Sequence, residues 1–135
     1  MATMGEQQFA AVSSERMEAA FQLNTLGPLR VQQSLQSQMV SPGGKVFVIS
    51  SGMGSIADNT SGGIYAYRTA KAAVNMVCRC MAADFKEAGI AVTAVNPGMV
   101  VTEFGPGREA LASMGAMPVS QSVEGLLKVR AAYSV

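Results

Sequence analysis

The sequence predicts an α/β fold. Three observations carry that prediction: two short β-branched apolar runs, an Ala-rich span of about 20 residues between them that reads as helix, and turn chemistry at each junction. The two runs are Lys45–Ser50 (KVFVIS) and Ile90–Val95 (IAVTAV). Runs apolar throughout, rather than alternating, belong to strands covered on both faces, as in parallel sheets. Strand, long helix, strand is a βαβ unit, which brings the two strands together in parallel.

Taken in order, residues 1–13 are small and polar and read as a flexible lead-in, leaving 14–135 as one domain. Met17, Phe21, Leu23, Leu26, Leu29, Val31, Leu35 and Met39 roughly follow a helical period, predicting a helix over 15–39. Gly27-Pro28 interrupts it, so a kink is expected just before Pro28. Ser41-Pro42-Gly43-Gly44 ends it. The first strand follows, then a loop over 51–63 rich in Gly, Ser and Asn, then an Ala-rich helix over 64–86 stopped by Gly89. Asn96-Pro97-Gly98 closes the second strand. A Gly- and Met-rich stretch leads to a short helix over 119–129, with Pro118 ahead of it. The helix over 15–39 is expected to supply the layer on the second face of the sheet. Two strands alone make a small sheet, with open edges and uncovered apolar faces.

Composition narrows the function. The chain has 135 residues, 49% of them hydrophobic and 14% charged, well under the roughly 25% charged of an average soluble domain. So few charges imply apolar surface hidden against a partner or against further structure. A net charge of +1 with no basic run argues against nucleic acid or an anionic membrane as partner. No apolar run approaches the roughly 18 residues that cross a bilayer, and Met1–Ala10 does not read as a secretory signal. Cys78 and Cys80 fall on different faces of the helix, no His is present, and so no metal site is expected. Two reduced thiols and a cytoplasmic setting are the expectation.

The chemistry-bearing residues gather at one rim. Tyr67 and Lys71 are four apart on a helix and share a face. An ammonium beside a phenol favours the phenolate, and such a phenol can pass a proton to or from a substrate oxygen. Ser50-Ser51 ends the first strand and Asn96-Pro97-Gly98 the second, and ligands of open parallel sheets collect at the C-terminal ends of strands. Each residue has a plainer reading taken singly: Ser51 as a turn cap, Asn24 as a partner for backbone groups freed by Pro28, Thr102 as the start of a turn, the methionines as filler. Taken singly, the plainer reading is favoured for each; their joint order and topology reverse it for membership of a family.

Ser50-Ser51, Tyr67-Arg68-Thr69-Ala70-Lys71 and Asn96-Pro97-Gly98-Met99-Val100-Val101-Thr102 resemble the strand-end serine, Tyr-x-x-x-Lys and Pro-Gly-x-Val-x-Thr of the short-chain dehydrogenase/reductase family. Phe21–Pro28 is similar to that family's helix with an active-site asparagine. The loop between Ser51 and Tyr67 resembles the small carbonyl-reductase branch that includes sniffer and C-factor-type proteins. The resemblance implies the C-terminal part of a Rossmann-like doubly wound parallel sheet, and an NAD- or NADP-dependent oxidoreductase interconverting a small-molecule carbonyl and its alcohol. In that reading Tyr67 is the general acid/base, and Lys71 assists it and bonds the nicotinamide ribose. Ser51, ahead of Ser50, polarises the carbonyl, and Asn24 holds a water of the proton relay. Pro97, Gly98, Val100 and Thr102 line the nicotinamide, and Phe104–Met117 forms the substrate loop.

The family's Gly-rich cofactor turn does not precede Asn24, so the N-terminal cofactor-binding half is read as missing and the chain as truncated at both ends. Gly52-Met53-Gly54-Ser55-Ile56-Ala57 fits G-x-G-x-x-A, but loop residues follow where that fingerprint needs a helix. The alternatives are a non-catalytic module that pairs with itself or a full-length relative through helices 15–39 and 64–86, or an incomplete gene model whose missing half is encoded upstream.

Overall fold

The computed structural model describes residues 8–39 and 41–133, so part of the expected lead-in lies outside the described residues. Helix α1 (Ser14–Phe21) opens where the Ser13 side chain accepts a hydrogen bond from the Arg16 N–H, a side-chain N-cap. It runs without a break into a π-turn (Gln22–Leu26) and then α2 (Gly27–Leu35), which ends in a 3₁₀ turn (Gln36–Gln38). The kink expected before Pro28 is thus a π-turn, closed by Gly27 N–H on the Gln22 carbonyl. Proline supplies no N–H and crowds the turn before it, so the irregularity falls immediately upstream.

Strands β1 (Lys45–Ile49) and β2 (Ala91–Val95) pair in parallel, with Lys45 opposite Ala91 and Ile49 opposite Val95. Between them runs α3 (Tyr65–Asp84), 20 residues long. It starts one residue later than expected because Ile64 takes a left-handed conformation, φ 49°, rare for a β-branched residue. Val74, Cys78 and Met81 form a buried stripe on α3 at helical spacing. They close on Val48, Ile90 and Val92 to make the core. Val74 is 0% exposed, and burying a valine fully contributes about 1.5–3 kcal/mol.

The expected second layer is corrected by the structure. Helix α1 and the π-turn pack on α3 rather than across the sheet. The opposite face is met by α5 (Val119–Ala132) and the residue after it. Side chains alternate along a strand, so Phe47 and Lys45 point away from the face that Val46 and Val48 give to the core. Phe47 meets Tyr133 edge-on with ring centroids 6.0 Å apart, and Lys45 Nζ donates to the Arg130 carbonyl at 2.8 Å. Tyr133 also donates to the Val92 carbonyl at 3.3 Å. The stretch after β2 contains a short helix, α4 (Arg108–Ser113), that the sequence pattern did not announce. Apolar side chains stay uncovered along the helices, among them Leu23 at 74%, Val31 at 59% and Met76 at 65% exposure. Among the described residues, no helix is long and apolar enough to cross a membrane.

Candidate active site at the strand ends

Lys71 organises the rim. It lies on the second turn of α3, is buried, and donates from Nζ to the Ile49 carbonyl at 3.0 Å, where β1 ends. The same Nζ stands 5.5 Å from the centre of the Tyr67 ring. One cation therefore ties the helix carrying the tyrosine to the strand that delivers Ser50 and Ser51. Burial pushes the Lys71 ammonium below its ordinary value of 10.5. An ammonium has three donors, so the bond to Ile49 leaves capacity for a ligand.

Ser51 and Ser50 have different duties. The Ser51 hydroxyl accepts from the Met53 N–H at 3.2 Å and caps a 3₁₀ turn at Gly52–Gly54. Ser50 is buried, and its hydroxyl donates to Asn75 Oδ1 at 2.6 Å. The G-x-G-x-x-A segment opens only this three-residue turn, with no helix N-terminus to receive a pyrophosphate. Gly54 instead serves contact: a Cβ there would sit 2.8 Å from the Lys71 carbonyl carbon.

Asn24 lies in the π-turn, and its amide donates to the Ala20 carbonyl at 3.0 Å. Four residues on, Pro28 has no N–H to give the Asn24 carbonyl its usual helical partner. The turn is fixed against α3 by its neighbour: Thr25, 1% exposed, donates to the Ala70 carbonyl at 2.9 Å, one residue before Lys71.

Beyond β2, Asn96 Oδ1 accepts from the Gly98 N–H at 3.1 Å, and Gly98 has φ 81°. The buried Ser122 hydroxyl donates to the Pro97 carbonyl at 2.7 Å, anchoring this turn to α5. Val100 forms a parallel bridge with Met117, which closes the base of the 101–116 segment. Thr102 Oγ1 accepts from the Phe104 N–H at 3.2 Å, and the Phe104 ring lies 6.5 Å from that of Tyr67. Ser51, Tyr67 and Lys71 are thus gathered around the end of β1, and Pro97, Gly98, Val100 and Thr102 along the exit of β2. The plainer roles of Ser51, Asn24 and Thr102 are also present as hydrogen bonds. Thr25 and Asn75 escaped the sequence, because nothing local marks a partner 20 or more positions away.

Fold and rim define an α/β unit with a tyrosine–lysine couple at the C-terminal ends of parallel strands. The sequence matches the short chain dehydrogenase family over residues 1–110, and the chain belongs to that family. It is 40% identical over 114 residues to C-signal of Myxococcus xanthus, covering 84% of this chain and 65% of that one. The NADPH-bound carbonyl reductase from chicken fatty liver superposes with a TM-score of 0.78 at 28% identity, covering 99% of this chain and 56% of that one. Carbonyl reductase Sniffer of Drosophila melanogaster shares the fold, with a TM-score of 0.80 at 24% identity over 94% of this chain and 54% of that one. The chain spans 34–65% of the length of three curated relatives.

Proposed function

We propose that this chain carries the proton-transfer side of a nicotinamide-dependent oxidoreductase that interconverts a small carbonyl compound and its alcohol, with Tyr67 as general acid/base. The observation that carries the reading is the Lys71 ammonium, tied to the end of β1 and 5.5 Å from the Tyr67 ring. A desolvated cation with spare donors suits the hydroxyls of a ribose, and the open Pro97-Gly98 turn suits a flat carboxamide ring. Lys71, Pro97, Gly98, Val100 and Thr102 would hold that end of the cofactor. When bound, that cofactor would supply hydride to the carbonyl carbon or take it from the alcohol carbon. During reduction Tyr67 gives its hydroxyl proton to the carbonyl oxygen, which Ser51 orients by hydrogen bonding, and Asn24 holds a water through which the proton is replaced. The NADPH-bound neighbour supports a nicotinamide cofactor, NADP or NAD. Both described cysteines are free thiols, which goes with a cytoplasmic setting.

Calorimetric titration of residues 1–135 with NADPH and with NADH tests the reading. Saturable binding that weakens in Lys71→Met supports it. A folded chain that binds neither cofactor sinks it for this chain by itself.

The uncovered Leu23, Val31 and Met76 favour a second reading, in which α1–α2 and α3 pair with another copy or a full-length relative. Light scattering reads this directly: a dimer that Met76→Glu splits supports it, and a monomer at all concentrations ends it.

A further inference from the structure

Tyr67, Lys71 and Asn75 recur every four residues along α3 and so share one face. The function proposed above uses the first two. Asn75 is only partly exposed, and its single amide reaches both sides of Ser51. The buried Ser50 hydroxyl donates to Asn75 Oδ1 at 2.6 Å, and Asn75 Nδ2 donates to the Gly54 carbonyl at 3.4 Å. Ser51 itself makes a local bond, to the Met53 N–H. Its place against α3 is therefore set through Ser50 before it and Gly54 after it.

We infer that Asn75 is a positioning residue that fixes Ser51 relative to Tyr67 and Lys71. The inference rests on the reading of Ser51 and Tyr67 as the carbonyl site. An amide is required because one planar group must accept from a hydroxyl and donate to a carbonyl. An aspartate keeps only the acceptor, and a leucine keeps neither while filling a similar volume. Losing Asn75 alone leaves the buried Ser50 hydroxyl unpaired, which costs stability whatever its role. Replacing Ser50 and Asn75 together by apolar groups removes the Ser50 part of that penalty and leaves the Gly54 carbonyl without its amide partner.

The test compares the wild-type chain with Asn75→Asp and with the double variant Ser50→Ala/Asn75→Leu. Amide hydrogen exchange is read at Met53, which bonds the Ser51 hydroxyl, and at Gly54, which bonds the Ser51 carbonyl. The double variant should melt closer to wild type than Asn75→Leu alone, because only the Gly54 carbonyl loses its partner, while both amides exchange about tenfold faster, as loss of one or two net hydrogen bonds requires. Asn75→Asp should fall between. Unchanged exchange in a folded double variant overturns the inference; if that variant does not fold, unchanged exchange in Asn75→Asp overturns it. In chains that turn over, the uncharged double variant should raise KM for the carbonyl or lower kcat about tenfold, with cofactor affinity unmoved. A wild-type chain that neither binds cofactor nor turns over defeats the proposed activity, while the exchange result still decides the role of Asn75.

Discussion

One methyl group added at Gly54 should loosen the whole rim. A Cβ at this position would lie 2.8 Å from the Lys71 carbonyl carbon, 2.9 Å from its oxygen and 3.0 Å from Asn75 Nδ2. The first two are backbone atoms inside α3 and cannot rotate away. Ordinary carbon contacts sit near 3.5–4.0 Å, so the 3₁₀ turn and the helix must part by roughly 0.7–1.2 Å. Overpacking of this kind costs about 1–3 kcal/mol. At about 4 °C per kcal/mol for a domain of this size, Gly54→Ala should melt about 4–12 °C below wild type by far-ultraviolet circular dichroism. Gly125→Ala is the control. That glycine lies inside α5 with nothing within 4 Å of a Cβ, so alanine there should be neutral or stabilise by up to about 1 kcal/mol. The reasoning fails if Gly54→Ala melts within 2 °C of wild type (less than about 0.5 kcal/mol), or if the control loses as much.

Burial lowers the Lys71 pKa on folding, so the unfolded chain binds more protons between the native and unfolded values. Stability should therefore rise with pH as Lys71 loses its proton, up to about pH 10.5, and denaturant titrations of Lys71→Met should lack that rise. Cys78 is buried, with its thiol pushed up in pKa, whereas Cys80 is exposed. A thiol reagent added to native protein should modify Cys80 and spare Cys78, read by peptide mass; equal modification would contradict the packing of α3.

The two strands and α3 were readable because uninterrupted apolar runs and an Ala-rich stretch ended by a glycine are local signals. Gly27-Pro28 likewise located the break in the first helix, although a missing N–H does not say whether the backbone answers with a kink or a π-turn. What covers the second face was not readable. The pattern over 119–129 defines a helix but not its partner, and α5 meets that face where the first helix had been expected. Helix α4 hid in a stretch that reads as loop, although Gly107 and Gly115, both at positive φ, bracket it. At the rim, spacing puts Tyr67 and Lys71 on one face, and it is their place after a strand end that singles them out. Their supports do not: Thr25 reaches Ala70 and Ser50 reaches Asn75 across loops whose closure no periodicity encodes. The left-handed Ile64 was equally silent, since sterics argue against a β-branched residue there.

The central claim is that Tyr67 moves the proton, and Tyr67→Phe tests it most directly. That variant removes one hydroxyl and keeps the ring beside Phe104. Hydride transfer would be followed by NADPH absorbance with an aldehyde in excess, using wild type and variant of matched melting temperature. The account predicts reduction by the wild-type chain and a loss of at least about a hundredfold in Tyr67→Phe, the scale of general acid catalysis. Equal rates in the two proteins, or no reduction by folded wild type, would contradict it.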